Sequence, residues 1–176
     1  MVKWLLLFSI GFGALAVDQI SKFYVFTRIP LYHSVVVVPH FFSLTHVRNP
    51  GAAFGLFASQ PEAFRQIFFL IVSVLALVML LRFFVQTPAS DRMGLVSLSL
   101  LLGGAVGNMI DRVRMGEVVD FLDFYIGRHH WYTFNAADSA ITVGITLLML
   151  NALFPNKSTP ASHITTEDAQ QQRHIP

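Results

Sequence analysis

The sequence has no cysteine and few charged residues. Without a thiol among its 176 residues, disulfides, a cysteine nucleophile and thiolate metal ligands are excluded. Only 12% of the residues are charged, and the net charge of +2 comes from single, scattered Lys and Arg residues. With no basic stripe, nucleic acid is not an expected partner. A glycine-rich phosphate loop and a solenoid-type repeat are also missing. Any nucleophile must therefore be an oxygen or a water molecule.

Hydrophobic residues dominate the composition. They make up 54% of the chain, and the mean hydropathy of +0.59 is too high for a soluble domain. Because a membrane helix needs about 20 apolar residues, four stretches can span, approximately 4–26, 64–84, 94–113 and 136–154. We predict a mainly α membrane protein, a four-transmembrane-helix bundle within one domain of residues 1–155. The polar segment 156–176 is predicted to be a disordered cytoplasmic tail.

The basic residues predict an orientation for this bundle. Lys3 precedes the first span, Arg82 and Arg92 flank the connection between the second and third, and Lys157 follows the fourth. Basic residues favour the cytoplasmic side, so both termini are expected there. The connections 27–63 and 114–135 then face outward, although their own arginines reduce the asymmetry.

The first span has a second interpretation. Lys3, the apolar run after it and the triplet at 14–16 are typical of a cleavable secretory signal. However, the apolar pattern continues to Phe26, and Asp18 and Lys22 are four residues apart, where an acid and a base on one helical face can pair. We therefore expect an uncleaved helix.

The first outward connection predicts a small β-rich platform on the outer (periplasmic) face. Residues 31–38 are rich in β-branched side chains and are bounded by Pro30 and Pro39. Asn49, Pro50 and Gly51 then mark a turn. The histidines of this connection lack a compact ligand spacing, so surface or interfacial positions are favoured over a metal site. They are His33, His40 and His46.

One face of the third span is polar. Gly104, Asn108, Asp111 and Arg112 recur at helical intervals. Asp111 and Arg112 fall at the outer end, where they could simply reach toward the interface or pair with neighbouring groups. Asn108 lies a turn deeper, where an amide needs partners, so it is expected to orient another group. The GxxxG spacing of Gly103 and Gly107 indicates a close helix contact.

Two aspartates lie at the edges of apolar segments. Asp138 follows Asn135 at the start of the fourth span, where an N-cap and a helix dipole explain both residues without catalysis. The antiparallel third and fourth spans nevertheless bring Asp120 and Asp138 to one depth. Two such acids can share a proton, one activating water while the other polarises a carbonyl. Because the helix terminus favours an ionised Asp138, we expect Asp120 to hold the proton, whereas Asp123 is expected to be solvated.

Five motifs in order resemble lipoprotein signal peptidase, also called signal peptidase II. They are VDQISK at 17–22, RNPGAAFG at 48–55, GGAVGNMIDR at 103–112, VVDF at 118–121 and FNAADSAI at 134–141. The resemblance implies an aspartyl endopeptidase of the bacterial cytoplasmic membrane. Such an enzyme removes the signal peptide of a prolipoprotein by cleaving before a diacylglyceryl-modified cysteine, near the outer leaflet.

The resemblance also implies residue roles. Asp120 and Asp138 match the catalytic pair, and Asp18 with Lys22 matches a supporting structural pair. Residues that bind substrate or orient the pair are Asn49, Gly51, Asn108, Arg112 and Asn135. The implied partners are the diacylglyceryl-modified prolipoprotein, membrane lipids and the inhibitor globomycin, with neither a cofactor nor a metal.

Two other functions remain compatible with the residues alone. A small proton-coupled transporter would also place acids in the membrane, although four spans without an inverted repeat argue against it. A non-enzymatic scaffold would use the GxxxG helix and the acid–base pairs for packing only.

Overall fold

The structure, a computed structural model, describes residues 2–51 and 59–154. Four helices in it are long and apolar enough to cross a membrane: α1 (Val2–Arg28), α2 (Glu62–Gln86), α3 (Arg92–Met115) and α4 (Ala136–Leu153). Residues Leu7–Gly11 of α1 form a π-helical stretch. The four predicted spans and the mainly α membrane fold are confirmed. The predicted tail, 156–176, lies outside the described residues.

Helix α3 forms the centre of the bundle. Most of its apolar window is buried, whereas the other three helices turn most of their side chains outward. Glycines make the close packing possible: a side chain at Gly103 would overlap the backbone of Gly11, and one at Gly107 would overlap the carboxylate of Asp18. The close helix contact predicted from the GxxxG spacing is therefore confirmed, and both of these contacts are with α1.

Polar side chains fix the ends of the helices that face away from the sheet. Lys3 Nζ donates to the carbonyl oxygens of Val85 (2.6 Å) and Thr87 (3.1 Å) at the end of α2. Asp91 caps α3 by accepting from Gly94 N at 2.9 Å. The first turn of α1 is thus bonded to the rest of the bundle.

An antiparallel four-stranded sheet covers the other end. Its strands, in the order β1-β2-β3-β4, are Ser34–Val38, Phe42–Asn49, Val118–Ile126 and His129–His130. The register of β2 and β3 places Val47 opposite Asp120 and Asn49 opposite Val118. Val119 and Phe121 pack on Val25 and Ile29 of the end of α1. This sheet confirms the predicted β-rich platform.

The three histidines divide between surface and interior. His33 and His40 are exposed, as predicted. His46 is instead buried, and its Nδ1 lies 2.7 Å from the carbonyl oxygen of Ile29, so the ring donates to the last turn of α1. The prediction was wrong for His46 because β2 folds back over the end of that helix.

Candidate active site

Asp120 and Asp138 line one cavity of about 520 Å3 between the sheet and the ends of α3 and α4. Asp120 comes from β3, where it is buried, and Asp138 comes from the first turn of α4, where it is partly exposed. The other predicted site residues that line this cavity are Asn49, Gly51, Asn108 and Arg112. Two acids from separate elements therefore meet in one space.

Asparagine side chains connect the two acids. Asn108 Nδ2 donates to Asp138 Oδ1 at 2.8 Å, and Asn135 Nδ2 donates to Asp120 Oδ1 at 2.7 Å. Asn135 Nδ2 also lies 3.2 Å from Asn108 Oδ1, which joins the two bonds into one buried network. On the cavity side, Asn49 Nδ2 donates to Asp120 Oδ2 at 3.0 Å. Both oxygens of Asp120 thus accept a hydrogen bond from an amide.

The start of α4 fixes the position of Asp138. Asn135 Oδ1 accepts from Asp138 N at 2.9 Å, and Asp138 Oδ2 accepts from Asn135 N at 3.2 Å, which is a reciprocal capping box. The predicted N-cap is confirmed. Since Asn135 also bonds Asp120, the capping residue sets the relative position of both acids.

The environments of the two acids differ in a way that separates their protonation. Burial of Asp120, together with the charge of Asp138, raises the pKa of Asp120 from 3.8 to about 7, although hydrogen bonds from Asn49 and Asn135 lower it. Asp138 lies where the helix dipole stabilises a carboxylate. A carboxyl group with this pKa is partly protonated near neutral pH, unlike an ordinary solvated aspartate.

Lys22 lies at the centre of a buried ionic cluster behind the cavity. Its Nζ is 2.9 Å from Asp18 Oδ2, 2.9 Å from Asp111 Oδ2 and 2.9 Å from Asn108 Oδ1. The predicted pairing of Asp18 with Lys22 is confirmed. Of the two alternatives for Asp111, pairing with a neighbouring group is the one observed, because Lys22 on the facing helix neutralises it. Through Asn108, this cluster orients the amide that bonds Asp138.

Arg112 and Asn49 lie on the open side of the site. Arg112 Cζ is 5.2 Å from the centroid of the Phe69 ring, so its guanidinium group bridges from α3 to α2 while lining the cavity. Gly51 N donates to Asn49 Oδ1 at 3.0 Å. This bond confirms the predicted turn and leaves the amide nitrogen of Asn49 directed at Asp120.

Asp123 is buried, contrary to the prediction of a solvated side chain. Three residues after Asp120 along β3, it lies on the opposite face of the strand. There it accepts from Thr45 Oγ1 at 3.2 Å and pairs with His130 Nδ1 at 2.9 Å. The short strand β4 covers it, which the sequence did not indicate.

The sequence analysis also missed part of the cavity wall. Trp131, Tyr132 and Thr133 line the cavity just after β4. The sequence feature that could have indicated them is the aromatic pair Trp131 and Tyr132 in a short connection between two spans, a pattern typical of a membrane interface. Across residues 2–51 and 59–154, no three His, Asp or Glu side chains converge as metal ligands.

Comparisons with known proteins agree with this geometry. A sequence model of the family described as signal peptidase (SPase) II matches residues 10–154. The lipoprotein signal peptidase of Syntrophus aciditrophicus is 46% identical over 158 residues, which are 89% of this chain and 98% of the relative. That of Desulforapulum autotrophicum is 47% identical over 140 residues, 80% of this chain and 86% of the relative.

Solved structures give the same result. A structure described as a bacterial membrane enzyme, determined at 2.3 Å resolution, superposes with a TM-score of 0.74 at 36% identity. The match covers 89% of this chain and 92% of that one. A second, described in the same words at 1.9 Å, matches with a TM-score of 0.74 at 35% identity, over 84% and 92% of the two chains. This chain is a multi-pass membrane protein that belongs to the signal peptidase II family.

Proposed function

We propose that the protein is an intramembrane aspartyl endopeptidase that cleaves diacylglyceryl-modified prolipoproteins immediately before the lipidated cysteine. The observation that carries the proposal is the pair of Asp120 and Asp138 on one cavity, joined by Asn108 and Asn135. Removal of signal peptides from prolipoproteins follows from the family. The aspartyl mechanism is inferred from the site, and the cleavage position from the resemblance of the sequence motifs.

The mechanism assigns a separate role to each acid. The carboxylate of Asp138 accepts a proton from a water molecule, whose oxygen attacks the scissile carbonyl carbon. Protonated Asp120 donates a hydrogen bond and then its proton to the carbonyl oxygen as the tetrahedral intermediate forms. Collapse of this intermediate breaks the C–N bond, and the leaving amine takes the proton from Asp138. The carbonyl re-forms and returns its proton to Asp120.

The position of the site suits a substrate anchored in lipid. A cysteine that carries two acyl chains is held at the leaflet surface, and the cavity lies at the boundary between the helix ends and the sheet. Asn49 and Arg112 would contact the substrate from the open side. Globomycin would occupy the same cavity and compete with substrate. Asp18 and Lys22 would support the pair from behind.

The basic residues support the location of this chemistry. The ends of the helices near Lys3, Arg82 and Arg92 lie away from the sheet and would face the cytoplasm. The sheet and the two aspartates would then lie at the outer leaflet of the bacterial cytoplasmic membrane. Residues 1–155 would form the peptidase domain.

The test is a cleavage assay with purified protein and two substrates. A diacylglyceryl-modified prolipoprotein should give a shortened product whose N-terminal residue is the lipidated cysteine, identified by mass spectrometry. The matched precursor without the diacylglyceryl group should be cleaved far more slowly, and globomycin should stop the reaction. Equal cleavage of the two precursors, or a product that begins at another residue, would overturn the proposed specificity.

A further inference from the structure

Strand β1 presents apolar side chains that no other part of the described chain covers. It is an edge strand, paired with β2 on one side. All five of its residues, Ser34–Val38, are exposed, and Val35 and Val36, which pair in regular register with β2, keep 52% and 59% of their surface open. Successive side chains of a strand point to opposite faces, so both faces of β1 are apolar and uncovered.

The sequence around β1 lacks the charges that commonly protect an edge strand in water, and its protection is limited to the flanking Pro30 and Pro39 and a register shift between Val36 and Val38. Edge strands in aqueous sheets are normally guarded by charged side chains. Between Arg28 and Arg48 there is no Asp, Glu, Lys or Arg, although this segment lies beyond the end of α1. A two-sided valine strand without charges would promote aggregation if water surrounded it.

The apolar surface of β1 continues the lipid-facing surface of α1. Phe23 and Phe26 on the last turns of α1 are 69% and 45% exposed, as expected for side chains in contact with acyl chains. After Arg28 the chain turns at once into Leu31, Tyr32 and β1, all exposed. Arg28 thus separates the apolar surface of α1 from that of β1. Tyr32 follows it, and aromatic residues of this kind favour the membrane interface.

We propose that β1 is a membrane-contact element that inserts into the boundary between the headgroups and acyl chains of the adjacent leaflet. Pairing of its free edge with a peptide or a second copy would satisfy backbone groups but leave both valine faces in water. Lipid covers the faces. Because hydrocarbon alone would leave the edge N–H and C=O groups without partners, the strand lies at the interface, where headgroups and water can bond them.

The contact between β1 and lipid would fix the distance of the sheet from the helix ends. Strand β1 pairs with β2, which ends at Asn49, and β2 pairs with β3, which carries Asp120. A lipid-held edge therefore fixes the part of the cavity that the sheet supplies. Since the segment is uncharged, its membrane contact should not require anionic lipid.

The absence of cysteine makes the proposal directly testable. Val35→Cys and Val36→Cys each give the full chain one thiol, on opposite faces of the regular part of β1, for a nitroxide spin label. Phe23→Cys on α1 is the lipid-exposed control, and Arg128→Cys in the exposed turn between β3 and β4 is the aqueous control. The labelled proteins are placed in phosphatidylcholine nanodiscs holding one copy each. Collision rates with oxygen and with a neutral nickel chelate are then measured.

At both valine positions the ratio of oxygen to nickel collisions should be several-fold above that of the Arg128 variant and approach that of the Phe23 variant. Ratios equal to the aqueous control would overturn the proposal. Low collision rates with both reagents would also overturn it, since protein rather than lipid would then cover β1. If either variant shows reduced thermal stability, Val37→Cys and Val38→Cys sample the same strand. The readout uses no cleavage activity, so its outcome is independent of the proposed function.

Discussion

Replacing Asp120 with asparagine should remove activity and, above neutral pH, make the protein more stable. The fold destabilises this carboxylate: burial and the charge of Asp138 raise the pKa of Asp120 from 3.8 to about 7. Each pKa unit corresponds to about 1.4 kcal/mol, so ionised Asp120 costs the folded state about 4 kcal/mol. Asparagine does not carry this cost because it does not ionise.

The stability that Asp120→Asn gains over the wild type increases with pH. Between pH 3.8 and about 7, the folded state binds more protons at Asp120 than the unfolded chain, so the free energy of unfolding of the wild type falls as pH rises. The variant lacks this dependence. Asparagine also offers one acceptor oxygen where Asp120 accepts from both Asn49 and Asn135, and the lost hydrogen bond costs about 1 kcal/mol.

The cost of ionising Asp120 and the lost hydrogen bond have opposite effects, so the stability difference between variant and wild type should change sign with pH. At about pH 8 the Asp120→Asn protein should be more stable than the wild type by about 3 kcal/mol, and near pH 3 less stable by about 1 kcal/mol. Thermal unfolding in detergent at the two pH values measures the difference. Asp123→Asn is the matched control on the same strand. It should lose stability at both pH values because one of the two oxygens that accept from Thr45 and His130 is replaced by an amide nitrogen. An Asp120→Asn protein that is less stable at pH 8, or a difference that does not change with pH, would refute the reasoning.

Three further predictions follow from the contacts. Lys22→Met should lower the free energy of unfolding by about 3 to 5 kcal/mol because it leaves two buried carboxylates unpaired. Asp18→Asn should lower it by less, as measured by thermal unfolding. Adding Asp18→Asn to Lys22→Met should partly restore stability. Equal losses in the two single variants would contradict this. Arg112→Ala and Asn49→Ala should slow cleavage and weaken globomycin binding with little change in thermal stability. Asn49→Ala should also move the alkaline limb of the pH profile of cleavage upward, because the hydrogen bond from Asn49 lowers the pKa of Asp120. Normal cleavage by both variants would remove these residues from the proposed substrate site. Intact-mass spectrometry should find a chain that retains Lys3, which bonds the end of α2, whereas a mass lacking the first half of α1 would mean a cleaved signal.

Features that depend on neighbouring residues were predictable from the sequence. The spans follow from the length of apolar runs. The helices extend slightly beyond these runs because charged end residues are also helical; α3, for example, begins at Arg92, directly after its cap Asp91. The pair of Asp18 and Lys22 follows from a spacing of one helical turn. The capping box of Asn135 and Asp138 follows from a local pattern as well.

Features that depend on contacts between distant elements were not predictable. Asp111 needed a cation, but nothing in α3 indicated that Lys22 of α1 would supply it. Asp123 is buried because β4 covers it, and His46 is buried because its own strand, β2, folds over the end of α1. Short strands of this kind leave little trace in hydropathy. The convergence of the two acids was inferable only because α3 and α4 are antiparallel neighbours. The orienting roles of Asn108 and Asn135 were expected, whereas the particular hydrogen bonds they make required the structure.

The central claim is that Asp120 and Asp138 together perform the cleavage. The most direct test compares rates for Asp120→Asn, Asp138→Asn and Asp123→Asn on a diacylglyceryl-modified prolipoprotein, with thermal unfolding confirming that each variant is folded. The first two should lose activity by at least about 10²- to 10⁴-fold, the range expected for loss of a general acid or base. Asp123→Asn should retain most of its activity. Substantial turnover by either of the first two variants, or loss of activity in folded Asp123→Asn alone, would contradict the account.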